Sequence, residues 1–229
     1  MAIIRRPFVW GPILGAFIFG FVVGQIMRPK PATAQNGLAG RVAALETLLS
    51  CMTKVGNDVF LDGCNLHIRD GSGDTDGSTN GLGNLIVGYN EGSGNRNGSH
   101  NLVIGPDHTY SSYGGIVAGM NNTVSAPHAS VTGGSGNVAS AERTSISGGS
   151  NNTADGNVSH ISGGNRNTAS GIGNSILGGQ FNTTMDDVST ISGGRENMAT
   201  ARGSSVSGGF QRTANGLHDW VAGTLFEDE

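Results

Sequence analysis

From residue 116 onward the apolar positions recur at one spacing. Ile116, Val131, Ile146, Ile161, Ile176, Ile191, Val206 and Val221 stand 15 residues apart. A second column of small or apolar residues keeps the same period at Val124, Ala139, Ala154, Ala169, Ala199 and Ala214, with Thr184 in its place once. Gly133, Gly148, Gly163, Gly178, Gly193 and Gly208 form a third column. Asn122, Asn137, Asn152, Asn167, Asn182 and Asn197 form a fourth, which Arg212 breaks. A register held over so many copies means stacked supersecondary units.

Fifteen residues are too few for a helical pair, but two short strands and two tight turns fit. In Ser145-Ile146-Ser147 the strand alternation turns the isoleucine inward. The following Gly-Gly supplies a positive φ or a turn too tight for a Cβ. Asn152-Thr153-Ala154 reads as a second strand with alanine inward, and the asparagine column predicts a ladder of amide hydrogen bonds. The predicted fold is all-β, a parallel β-roll or β-solenoid of 15-residue repeats. Eight rungs at the interstrand spacing give a rod of roughly 40 Å.

The remainder divides into further regions. Residues 57–112 read as irregular rungs and 113–229 as the regular head. Within the former, Asp58 to Gly71 predicts two strands, one with Val59 and Leu61 and one with Cys64, Leu66 and Ile68. At the far end Trp220 replaces a Ser or Thr and, with the charged tail, predicts a cap over the last rung. Residues 1–34 hold an uncharged run, Phe8 to Met27, long enough to span a bilayer. The Ala32-Thr33-Ala34 site favours a cleaved signal peptide, while the length of the run favours an anchor. Either way, export to the surface or envelope is expected. Over residues 35–56, Leu38, Val42, Leu45, Leu49 and Met52 alternate at spacings of four and three, an a/d seam. The seam predicts a short coiled-coil neck, with a helix packed on its own solenoid as the alternative.

Composition changes the picture little. Forty glycines with only 13% charged residues and six prolines differ from the usual disordered profile. A net charge of -4 without a basic stripe argues against a nucleic-acid partner. Cys51 and Cys64 are the only cysteines, and outside the cytoplasm they are free to form a disulfide, with two buried thiols as the alternative. Asp70, Asp74 and Asp76 resemble a calcium loop, but no closing glutamate follows, and a solvated turn is the simpler reading. His67, His100, His108, His128, His160 and His218 are scattered. There is no P-loop, nucleophile elbow or zinc spacing, so a non-enzymatic protein without a cofactor is expected.

The repeat S-I-S-G-G-x-x-N-T-A-x-G resembles the head repeat of YadA-like trimeric autotransporter adhesins, over roughly Gly83 to Gly223. The matching positions are the Ile146, Gly148 and Ala154 columns. The resemblance implies a left-handed parallel β-roll in which three chains pack side by side, with Leu38 to Met52 similar to a stalk fragment. The family's repeat is about one residue shorter, and its C-terminal membrane barrel has no counterpart after Phe226. Three functions are compatible with these features. One is an adhesin-like homotrimeric head that meets surfaces, glycans or proteins multivalently. Another is an ice-binding solenoid using rows such as Ser145-Ile146-Ser147 and Thr190-Ile191-Ser192. The last is a polysaccharide-processing enzyme.

Overall fold

The computed structural model describes residues 32–223, so the uncharged run Phe8 to Met27 lies outside the described residues. The chain divides into two compact units between Leu66 and His67.

The first unit is a helix, α1 (Ala32–Leu48), followed by the antiparallel strands β1 (Met52–Val55) and β2 (Asp58–Leu61). Val55 pairs with Asp58 across a two-residue loop in which Gly56 takes φ +59°, the conformation a glycine-first hairpin turn needs. Cys51 and Cys64 are joined in a disulfide that closes the hairpin's base, where the Asp62 N–H also donates to the Cys51 carbonyl at 2.9 Å. Two expectations are corrected here. The predicted seam does not run along one helix: Leu38, Val42 and Leu45 lie on α1, Leu49 in the turn and Met52 in β1. Residues 52–55 gain a strand partner through the Gly56 turn, and that pairing supplants a further helical turn. Nor do Cys64, Leu66 and Ile68 form a strand. The hairpin crosses the predicted boundary at residue 56 and forms no rung of the roll. From residue 37 to residue 66 no side chain is buried; Leu38 is 62% exposed and Leu48 72%. Among the described residues no helix is long and apolar enough to cross a membrane.

The second unit is an all-β parallel solenoid of about nine turns. Each turn from Leu102–Ile104 to Ser205–Val206 gives one short strand to each of two sheets, a ten-stranded one that runs from Leu85–Val87 to Trp220–Val221 and an eight-stranded one from Thr109–Tyr110 to Thr213–Ala214. Every pairing in both sheets is parallel, and like pairs with like from rung to rung, Ile146 on Ile161 and Ala154 on Ala169. Val131, Ile146, Ile161, Ile176, Ile191 and Val206 are fully buried, as are Ala139, Ala154, Ala169, Ala199 and Ala214. Val221 is partly buried against the end of this core. One large and one small side chain face each other across each rung, so the two sheets stay close.

Ile116 does not belong to the buried column. It pairs with Ser130 and is half-buried, while Val117 pairs with Val131 and is buried. The strict period therefore begins at Val131. Upstream, the Ile86, Val103, Val117 and Val131 pairings are separated by 17, 14 and 14 residues. The glycine column explains the change of length. It is the second glycine of each pair, as at Gly134, Gly149 and Gly164, that takes a positive φ, between +82° and +105°. A Cβ on Gly149 would collide with the Gly164 carbonyl of the next rung. The predicted turn residues behave otherwise: Gly148, Gly163, Gly178 and Gly193 would place a Cβ in open space, and Gly133 meets only Ser147 O at 3.5 Å. Gly208 is the exception in φ (+146°), with open space around it. Shorter rungs have a single glycine, Gly105 or Gly119, and it is the one with positive φ. The extra residue of the 15-residue rung is thus the unconstrained first glycine.

Half of the interior is polar. Asn122, Asn137, Asn152, Asn167, Asn182 and Asn197 are fully buried. Their ladder runs chiefly from side chain to backbone: Asn152 Oδ1 accepts the Asn167 N–H at 3.0 Å, and its Nδ2 donates to the Gly148 and Gly164 carbonyls at 3.1 Å. His108 opens the ladder, with Nδ1 accepting the Asn122 N–H at 3.2 Å. At the other end the Arg212 N–H donates to Asn197 Oδ1, and a guanidinium has no acceptor to pass on. A further buried column, Thr144, Ser159, Asn174, Ser189 and Ser204, lies two residues before each Ile or Val.

Candidate interaction surface

The strand alternation that buries Ile146 turns its neighbours outward. On the ten-stranded sheet these are Ser130 and Thr132, Ser145 and Ser147, His160 and Ser162, Ser175 and Leu177, Thr190 and Ser192, then Ser205 and Ser207. The His160 ring bridges this face, with Nδ1 2.9 Å from Ser145 Oγ and Nε2 3.0 Å from Ser162 Oγ. This Ser–His contact has no carboxylate to orient the imidazole. The eight-stranded sheet presents Thr123, Thr153, Thr168, Thr183 and Thr213 in one outward column, interrupted by Val138 and Met198. Both faces are therefore arrays of short hydroxyl side chains repeated at the rung spacing. Trp220 is an outward member of the first face, with its indole N–H donating to Ser207 Oγ at 2.8 Å. It does not fold over the end of the roll, as a cap would, because strand pairing with Ser205 fixes its outward direction; the charged tail of the predicted cap lies outside the described residues.

The acidic loop does not converge. Asp70 Oδ1 accepts from the Ser72 N–H at 2.8 Å and from Ser72 Oγ at 2.6 Å, while Asp74 Oδ1 accepts from the Asp76 N–H at 3.1 Å. Each carboxylate closes its own turn, and no group of three potential metal ligands occurs among the described residues. The Ser72 hydrogen bonds hold the Asp70 carboxyl below the ordinary carboxylate range, with the His100 ring adding to the effect. His100 clamps this loop to the first rungs: Nε2 accepts the Asp70 N–H at 3.3 Å, and Nδ1 lies 3.3 Å from the Thr75 carbonyl. Asp70, Asp74 and His100 line a cleft of about 380 Å³ together with His67, Arg69 and Thr75. His128 packs edge-on against Tyr113, with ring centroids 5.3 Å apart.

One surface feature escaped the sequence reading. At the corner after the Gly-Gly turn, the Arg166 guanidinium lies over the Phe181 ring at 5.5 Å, and that of Arg195 over Phe210 at 5.4 Å. Both pairs are one repeat apart, Arg166 with Phe181 and Arg195 with Phe210, so the 15-residue offset was the available signal. No protein-family model and no curated protein matches this chain.

Proposed function

We propose that this chain is a non-enzymatic, exported surface or envelope protein whose rod-like head meets its partners multivalently. In this reading three chains associate through the N-terminal unit, with left-handed heads side by side, and attachment is through the N-terminal segment. The observation that carries the proposal is the absence of buried side chains between residues 37 and 66, although that stretch is rich in leucine and valine. A helix and hairpin without a core gain stability by covering Leu38, Val42, Leu45 and their neighbours with copies of themselves. Three heads in register then multiply weak contacts made by the outward hydroxyl columns. Sedimentation equilibrium of residues 35–229 is expected to give three times the chain mass, reduced by Leu45→Asp. A monomer at micromolar concentration refutes the trimer.

The threonine column of the eight-stranded sheet favours one second reading, ice binding through repeated hydroxyl and methyl groups. A thermal-hysteresis measurement tests it, and lack of any freezing-point gap removes it.

A further inference from the structure

The corner ridge carrying Arg166, Phe181, Arg195 and Phe210 has chemistry that the hydroxyl faces lack. Within the described part of the solenoid, phenylalanine occurs only at these two positions. Both rings are exposed, and the backbone holds them there. Asn165, Gln180, Arg195 and Phe210 are linked in a column of parallel bridges. Arg166 and Phe181 come one residue later in their rungs, in the left-handed region at φ +53° and +55°. Arginine stacked on an aromatic face leaves its in-plane N–H groups pointing away from the ring, toward a planar anion, and its weak hydration lowers the cost of contact; Arg195 commits only Nη2 of that fork, to Glu196. Arg166 makes no ion pair among the described residues. The one acid on the ridge, Glu196, is already engaged, by Arg195 Nη2 at 2.8 Å and by Gln211 Nε2 at 2.8 Å. A chain of net charge -4 thus presents a locally cationic, partly apolar strip edged with the amides of Asn165, Gln180 and Gln211.

We propose that this ridge binds an acidic polysaccharide lying along the rod. The inference names a ligand class for the multivalent head and rests on that reading for its biological sense. Arg166 and Arg195 are two rungs apart, roughly 10 Å at the interstrand spacing. That interval suits a polymer with one carboxylate or sulfate on every second sugar. Amide groups and exposed ring edges suit the hydroxyls and C–H faces between the anions. Single-stranded nucleic acid is the less fitting polyanion, because one face of each ring, which a base would stack on, is already taken by an arginine.

The test is calorimetric titration of the full chain with a hyaluronan hexasaccharide, a probe that carries one carboxylate on every second sugar and is too short to bridge heads. Binding that weakens with salt is expected, with affinity falling at least about tenfold in R166A/R195A. R166K/R195K is expected to lose a similar factor, since charge is kept but the planar fork is not. F181A/F210A should weaken binding, and R143A/R202A, arginines of another corner, should leave it unchanged. The inference is overturned by absence of binding, by equal loss in R143A/R202A, by full retention in the lysine variant, or by tighter binding of a thymidine dodecamer. A monomer that binds the hexamer through these arginines keeps the ridge and discards the trimer.

Discussion

Replacing Asn152 by alanine tests the interior of the rod most directly. In the folded chain its Oδ1 is the acceptor for the Asn167 N–H at 3.0 Å, and its Nδ2 serves the Gly148 and Gly164 carbonyls and Asn137 Oδ1, each at 3.1 Å. The Gly164 carbonyl retains the Ser150 N–H at 2.9 Å, and Asn137 Oδ1 retains the Asn152 N–H at 2.9 Å. The Asn167 N–H and the Gly148 carbonyl keep no such substitute. Orphaning a buried polar group costs about 1–3 kcal/mol, so N152A, which orphans two, should destabilise the solenoid by about 2–6 kcal/mol. N152D should cost no less, because a buried carboxylate would then face two carbonyl oxygens. Urea unfolding followed by circular dichroism measures the loss, with exposed Ser147→Ala as the reference, expected within about 0.5 kcal/mol of the parent. If N152A proves no more costly than Ser147→Ala, the asparagines are not what satisfies the backbone at this corner, and the account of the interior fails.

Four further outcomes are expected. Gly149→Ala should cost more than about 2 kcal/mol, because φ is +84° and the next rung's carbonyl blocks the Cβ, whereas Gly148→Ala should be nearly neutral; paired thermal melts decide, and similar losses would refute the distinction. Val188 holds a β-branched side chain at φ +57°, exposed, in a column where Gly173 and Gly203 also occur, so Val188→Asn should stabilise by about 1 kcal/mol. Thr184 occupies an alanine position with its buried Oγ1 unpartnered, and Thr184→Ala should raise the urea midpoint by about 1 kcal/mol in free-energy terms. Asp70 has a lowered folded pKa, so its contribution is fully present above the ordinary aspartate value and is lost as pH falls through the lowered one. Protection factors of amides 70–76, corrected for the intrinsic pH dependence of exchange, should therefore fall on acidification, and Asp70→Asn should remove most of that fall.

The regular rungs were legible because each column repeats one physical demand, and a demand repeated six times rises above local propensity. Errors arose where a rule changed within a few residues. Ile116 stood 15 residues before Val131, yet Val117 is the buried one, because the preceding rungs lack the first glycine. Spacing alone also could not tell which glycine of a pair was indispensable; that depends on the carbonyl of the next rung, a contact between copies. The helix signal over Leu38 to Met52 was read past its end, since a period of three and four fits Leu49 and Met52 equally well in a turn and a strand. The buried Ser/Thr column could have been found from alternation, as it lies two residues before each isoleucine. Its polarity concealed it. The Arg–Phe corner was likewise visible only as a 15-residue offset between two unlike residues.

The identity of successive joints bears on how such a chain changes over generations. From Val131 to Val206 every rung meets the next through equivalent pairs in both sheets and through one asparagine link. Removing or duplicating one 15-residue unit there would leave a joint of the kind already present on either side. Head length can therefore drift by whole units with little penalty per step. His108 and Arg212 terminate that link at its two ends, so the interchangeable units all lie between them.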